Sequence, residues 1–324
     1  MVIKPYKTVI YSFIVGGLFA LVAQAILAFW QVTLADTPMA FFMGGATLVS
    51  LGVIGCILGG TGIYQILEKW ATFGSLMPFS GFAMAVGMKA VGPWTKNNET
   101  AGKCVWNCVW FVVWFNVLFA AICIAFGAAC EALGFGEPTW VVEKVTDNTV
   151  FFHAFLIGGI LAVFFQCCFL IGKKIFGEHC EPLHILILAW MLGAIFAPTG
   201  LSGVLMNWGG EGFGAMITVG GYNMYNVGVD LVAGHIDTAL LHLGSFALAV
   251  TGLAVTALFT WIIYNALYGR TPITKVHHIR VSRMIKNIEK NLEEAEEIVE
   301  TVDPADVADR VSVEADRSDP GDRR

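Results

Sequence analysis

The stretch GSLMPFSGFAMAVGMKA, residues 74–90, is apolar enough to enter a bilayer but poorly suited to cross one as a helix. Pro78 removes a backbone donor, Gly81 and Gly87 loosen the chain beyond it, and Lys89 brings a charge close behind. Proline in a helix interior costs about 3 kcal/mol. The segment therefore reads as a span, a loop, or a segment that enters the membrane and turns back. Deciding between these sets the fold of everything around it.

Composition defines the setting. Only 14% of the 324 residues are charged, and the mean hydropathy is +0.70. These values belong to polytopic membrane proteins. Several runs exceed the ~20 apolar residues that cross ~30 Å of hydrocarbon. The expected spans are residues 9–30, 40–66, 104–130, 150–172, 184–206 and 238–266. The first run is too long for the core of a signal peptide, so it is expected to be retained. The net charge of −6 is concentrated in the tail. No basic patch interleaved with aromatic residues suggests nucleic acid.

Lysine and arginine mark the cytoplasmic side. If residues 74–90 enter and return, six spans put Lys69, Lys89, Lys96, Lys103, Lys173 and Lys174 on the side of both termini. Lys144 then stands alone opposite, among acids. A full crossing would move Lys96 and Lys103 outside with no compensating gain. The charges thus favour a re-entrant segment and cytoplasmic termini.

The chain also repeats itself. YSFIVGGLFALVAQ (11–24) aligns on FHAFLIGGILAVFFQ (152–166), matching Gly16, Gly17 and Gln24 to Gly158, Gly159 and Gln166. GCILGGTGIYQILEKW (55–70) aligns on GAIFAPTGLSGVLMNW (193–208), matching Gly55, Thr61, Gly62 and Trp70 to Gly193, Thr199, Gly200 and Trp208. Beyond these blocks Gly81 and Gly220 fall close to register. Three spans per copy is an odd number, so the copies must lie in opposite orientations. The expected fold is an all-α integral membrane protein of six transmembrane helices. These form two inverted three-helix repeats, each with a re-entrant segment, followed by a cytoplasmic amphipathic C-terminal helix. Residues 1–103 hold the first repeat's two spans and re-entrant segment, and 104–149 the third span and an acidic external loop. Residues 150–268 hold the second repeat, 269–303 the amphipathic helix, and 304–324 a disordered acidic tail.

Irregular backbone in hydrocarbon leaves polar groups unsatisfied unless protein or a wet cavity encloses it. Broken helices also aim N-terminal amides at the midplane, where they favour anions. The candidate solute path therefore comprises Gln24, Thr61, Gly62, Ser75, Pro78, Ser80, Gly81, Phe82 and Lys89 in the first copy. Gln166, Thr199, Gly200, Gly220, Asn223 and Asn226 are their counterparts in the second, and Gly16, Gly17, Gly158 and Gly159 are structural. Two readings stay open for the glutamines, bonding to another helix or lining a pore. Lys89 either snorkels to the interface or attracts an anionic solute. Glu211 and Asp230 are expected at the outer rim.

Eight cysteines mostly lie in apolar runs and read as buried free thiols. EHCEPLH (178–184) offers His179, Cys180 and His184 as ligands without a second cluster, so no metal or other cofactor is expected. No nucleophile–base motif or P-loop points to an enzyme.

FIVGGLFALVAQ (13–24) and LGGTGIYQILEKWATFGSLMPFSGFAMAV (58–86) resemble the stage V sporulation protein A family, types AC and AE. Those chains share F-x-V-G-G-L-x-x-x-x-x-Q, then a G-x-G-x-Y/D turn, then P-x-T-G-F. The resemblance covers about residues 10–92. Ser80 stands where the family usually has Thr, Met84 where Asn or His is common, and the second copy reads MITVGGYN (216–223). The resemblance implies a membrane channel subunit that moves dipicolinic acid, as its calcium chelate, and responds to membrane tension. It singles out Gly16, Gly17, Gln24, Gly62, Pro78, Ser80, Gly81 and Phe82. It further implies the inner membrane of a sporulating cell, other subunits of the same type or self-association, and a small anionic solute. The alternatives are a non-conducting scaffold that recruits partners through its tail, and an ion-coupled secondary transporter.

Overall fold

The computed structural model describes residues 5–135 and 147–276. Residues Met1–Thr271 form one compact unit and Pro272–Arg324 a second. The expected amphipathic helix and acidic tail, like most of the external loop, lie outside the described residues.

Among the described residues, twelve helices of the first unit set its architecture. They are α1 (Pro5–Leu34), α2 (Met43–Gly60), α3 (Tyr64–Ala71), α4 (Phe73–Leu76), α5 (Phe79–Lys96) and α6 (Ala101–Ala132), followed by α7 (Thr149–Phe176), α8 (Pro182–Phe196), α9 (Leu201–Gly209), α10 (Glu211–Phe213), α11 (Val219–Ala233) and α12 (Ile236–Tyr268). A π-helical stretch, Gly214–Thr218, joins α10 to α11. Six segments among these residues are long and apolar enough to cross a membrane: Tyr6–Leu34, Ala40–Gly60, Ala101–Ala132, Thr149–His179, Pro182–Thr199 and Ile236–Tyr268. The protein is an all-α membrane protein with six such helices.

The second and fifth of these end earlier than the hydropathy of the sequence suggests, at Gly60 and Thr199 rather than at 66 and 206. The cause is local. Gly62 and Gly200 adopt φ of 75° and 71°, a backbone that turns the chain out of the helix and that a side chain would disfavour. Apolar residues continue past both turns, but as the short helices α3 and α9.

Helices α1 and α7 pack against each other antiparallel. Gln166 Nε2 donates to Thr8 Oγ1 at 3.5 Å, and Ser12 Oγ donates to Gln166 Oε1 at 3.4 Å. Farther along, a Cβ on Gly16 would stand 2.5 Å from that of Ala162, and one on Gly158 2.2 Å from that of Ala20. Gly17 faces Phe155 and Gly159 faces Phe13 in the same reciprocal way, and the two phenylalanines meet edge to face at 5.6 Å. Lipid tails are as apolar as leucine, so close backbone approach through small residues is what holds two such helices together.

The segment from Gly62 to Lys96 starts and finishes beside the C-terminal end of α12. Tyr268 Oη donates to the Thr61 carbonyl at 3.0 Å, and Trp94 Nε1 donates to the Gly269 carbonyl at 3.2 Å. Arg270 strengthens that second tie by stacking 3.7 Å from the Trp94 ring centroid and donating to Asn98 Oδ1. Lys7, Lys69, Lys89, Lys96, Lys103, Lys173, Lys174 and Arg270 all belong to the parts of the unit gathered at this end. Among the unit's described residues the opposite end carries Asp36, Glu131, Asp147, Asp230 and Asp237 and no lysine or arginine.

Candidate functional site: two cavities that meet at Phe82

Each copy of the repeat contains a break that starts a short helix inside the protein. In the first copy Thr72 adopts φ 30°, ψ −93° and α4 begins at Phe73; in the second, Gly210 adopts φ 53°, ψ −135° and α10 begins at Glu211. These positions correspond when the alignment of Trp70 with Trp208 is continued without a gap. The first N–H of each short helix is answered from the other copy. Glu211 N–H donates to Gln24 Oε1 at 2.8 Å, and Phe73 N–H donates to Gln166 Oε1 at 3.3 Å. A helix start buried in a membrane has no water to satisfy it, so these two bonds are what permits the breaks.

Close backbone approach repeats in the same register. A Cβ on Gly74 would stand 2.4 Å from the Ser12 carbonyl oxygen, and one on Gly212 2.4 Å from that of Ala154. One on Gly55 would stand 2.1 Å from the Ser80 carbonyl oxygen, and one on Gly193 2.2 Å from that of Thr218. Ser80 therefore corresponds to Thr218, Gly81 to Val219 and Phe82 to Gly220. The near-alignment of Gly81 with Gly220 read from the sequence is one residue out, because the second copy has no proline to mark the frame. At the first break Tyr64 Oη reaches both the Ser75 carbonyl, at 2.8 Å, and Ser80 Oγ, at 2.9 Å.

Thr72 carries strain that Gly210 does not. A β-branched residue at positive φ costs on the order of 1–3 kcal/mol. Thr72→Gly is therefore expected to raise stability by about 1 kcal/mol, after allowing for the entropy of glycine. The check is the midpoint of thermal unfolding in detergent; a fall in that midpoint would contradict the assignment of strain.

Two cavities lie on either side of this framework. The one at the lysine-poor end, termed the outer cavity, is about 190 Å³ and runs from Phe41 and Gly44 past His242 to Phe79, Phe82, Asn116, Trp190 and Glu211. Gly220 and Asn223 of α11 complete one wall. The inner one, about 220 Å³, lies at the lysine-rich end and is walled by Glu68, Phe82, Ala85, Lys89, Phe111 and Glu181. Lys89 Nζ sits 5.0 Å from the Phe111 ring centroid. Phe82 is in the walls of both. The two cavities use matched positions: Ala85 in one corresponds to Asn223 in the other, and Phe82 to Gly220.

The aromatic layer between them is built unevenly. Phe82 packs on Phe115 at 5.3 Å between centroids, and Phe115 on Trp190 at 6.5 Å. Opposite Trp190 stands Gly220, where a Cβ would come within 2.7 Å of the indole nitrogen. At the matched positions the first copy has Phe82 on α5 and Gly52 on α2, although a Cβ on Gly52 would meet Thr256 and Phe79 rather than Phe82. In the second the ring comes from α8, as Trp190, and the small residue from α11, as Gly220.

Of the residues singled out from the sequence, Phe82, Lys89, Gly220 and Asn223 reach the cavity walls. Ser75, Pro78, Ser80 and Gly81 form the buried turn that presents Phe82, and Gln24 and Gln166 cap the short helices from behind. Thr61, Gly62, Thr199 and Gly200 lie at the turns that end the second and fifth spans, and Asn226 is half-buried on α11 outside the walls. Glu211 is not at the outer rim; it is 8% exposed and starts an internal helix. Extending the repeat register past Trp208 would have revealed this, by setting Glu211 against Phe73. Trp190, Asn116 and His242 were also missed, since nothing in their neighbouring residues sets them apart from ordinary span residues. The EHCEPLH cluster serves locally: Glu181 and His184 form a capping box for α8, with Glu181 N–H donating to His184 Nδ1 at 3.1 Å.

The segment carrying Gln24, the Gly62 turn and the Pro78 break is also the part that known proteins share. Residues 8–130 match the SpoVAC/SpoVAEB sporulation membrane protein family. The matched segment runs from α1 almost to the end of α6, so it supplies the inner cavity's α3, α5 and α6 walls and Phe82 itself. The second copy lies beyond it. No curated protein and no solved structure matches the chain. The protein is thus a membrane protein related to the SpoVAC/SpoVAEB family through residues 8–130.

Proposed function

We propose that the protein is a channel or transport subunit in which the two cavities are the halves of one solute path, closed at Phe82. The observation that carries this reading is that a single side chain lines both cavities while each leads towards a different end of the unit. Inverted repeats with paired re-entrant segments are the architecture behind it, supported by the antiparallel α1–α7 contact and the matched breaks at Thr72 and Gly210. The lysine-rich end is cytoplasmic by the positive-inside rule. A small anionic solute of the dipicolinate type, alone or as its calcium chelate, is suggested by the relationship to sporulation proteins. Lys89 supplies a positive charge for it in the inner cavity. Further subunits of the same type, or a second copy, are the expected partners.

Two cavities with a thin aromatic layer between them also fit alternating access, and ion-gradient dependence of uptake would favour that second reading. The common prediction is sidedness. In a background without reactive cysteines, Asn223→Cys is expected to react with a membrane-impermeant thiol reagent only from the outside, and Ala85→Cys only from the cytoplasmic side. Labelling of both from one side, or of neither from either, would overturn the path.

A further inference from the structure

The inner cavity has Lys89 beside two acids, Glu68 and Glu181, whereas the outer one lacks the fixed positive charge expected for an anion path. Its walls contain Glu211 and His242 but no lysine or arginine. Asp230 stands 3.9 Å from His242 Nε2. The described residues at this end of the unit carry acids and no lysine or arginine, so the field over the entrance is negative and concentrates cations.

Glu211 is the centre of this arrangement. Its carboxylate carbon and oxygens lie 3.3 Å from where a Cβ on Gly214 would be, so the side chain folds over the first turn of its own helix. A negative charge is favoured at a helix start. In the matched position the first copy has Phe73, so this acid at the start of the short helix has no counterpart there. An ionisable group at this depth is costly to keep, and marks a site. Around it the walls are aromatic: Phe79, Phe82, Trp190 and Phe246. Ring faces attract cations, most strongly where water is excluded. Calcium takes six to eight oxygen ligands. One carboxylate among rings suits an alkylated ammonium better than a bare metal ion.

We propose that the outer cavity is a binding site for a monovalent organic cation, a quaternary or protonated amine, with Glu211 as its counter-charge and Phe82, Trp190 and Phe246 as its π faces. This deepens the solute-path reading by assigning a ligand class to one half of the path. The solute, or a co-transported ion, would then meet a cation site on the outer side and Lys89 on the inner.

The test is equilibrium binding of tetramethylammonium and of choline to the purified full-length protein in detergent, at constant ionic strength set with sodium chloride. Saturable millimolar binding is expected. Glu211→Gln should weaken it at least tenfold, Glu211→Asp should retain most of it, and Trp190→Leu should weaken it severalfold. Glu131→Gln, which removes the same charge at the same end, should change it less than twofold. Each variant is first checked for an unchanged gel-filtration profile. Absence of saturable binding in the wild type would overturn the proposal, as would a Glu211→Gln protein that binds equally well. Calcium displacing tetramethylammonium at micromolar concentration would also overturn it, in favour of a metal site. Binding without any transport in proteoliposomes would sink the path and leave the site standing.

Discussion

Gly81→Ala is expected to leave almost no folded protein in the membrane. The added Cβ would lie 1.8 Å from the Ser75 carbonyl oxygen and 2.8 Å from the Leu76 Cα. Both are backbone atoms of the same tight turn, so no side chain can swing aside. The turn is fixed at either end: Leu76 N–H donates to the Thr72 carbonyl at 2.9 Å, and Gly81 N–H to the Pro78 carbonyl at 2.8 Å. Tyr64 pins Ser75 and Ser80 across it. Relief would have to move α4 away from α1, breaking the Gln166 bond to Phe73 as well. Overpacking costs about 1–3 kcal/mol where side chains can give way, and a clash with fixed backbone belongs to the exceptional losses above about 4 kcal/mol. Gly92→Ala and Gly102→Ala are the controls, since nothing lies within 4 Å of either added Cβ. Gly92 lies inside α5 and Gly102 in the first turn of α6, so both changes should be neutral or stabilising by up to about 1 kcal/mol. The measurement is the yield of monodisperse protein and its thermal midpoint. A normally folded Gly81→Ala protein would mean that the turn is not built as described.

Phe82→Ala is expected to raise solute efflux from proteoliposomes at least tenfold, because it removes the one side chain that both cavities share. Truncating a phenylalanine in a fully packed core costs about 3–5 kcal/mol. Here the ring already borders empty space on two sides, so fewer contacts are lost and the variant should still fold. Phe82→Trp provides the opposite case, thickening the layer beside Phe115, and should reduce flux below the wild-type level. Efflux of dipicolinate, with and without calcium, and of a neutral sugar as a leak control gives the readout. Equal flux through wild type and Phe82→Ala would place the barrier elsewhere.

The long helices were legible in the sequence because twenty apolar residues in a row leave few other choices. The turns at Gly62 and Gly200 were present as motifs, yet hydropathy carried the second and fifth spans past them, since Ile63, Ile66 and Leu67 are as apolar as the helix before them. The break at 74–90 was recognisable from Pro78 and the neighbouring charges. Its counterpart was harder to frame: Met216 stands where the first copy has proline, and Gly210 takes over the turn that Thr72 makes under strain. Glu211 was misread as a rim residue because charge alone suggests water, and only the register of the repeat brings it inside. The cavities themselves arise from side chains of helices distant in sequence, α2, α5, α8, α11 and α12, and no local pattern encodes such a meeting.

The paired glutamine bonds impose an order on biosynthesis. Gln24 enters the membrane 187 residues before Glu211, whose N–H it accepts, is made. The N–H of Phe73 waits 93 residues for Gln166. A nascent chain released into the bilayer after α6 would therefore hold an unanswered amide on α1 and an unanswered helix start at α4, on opposite sides of the same missing partner. Neither half is a finished folding unit. The ribosome must deliver α7 and α10 before either is at rest, and a chain cut between α6 and α7 can recover only if its second half is supplied while the first is still in the membrane.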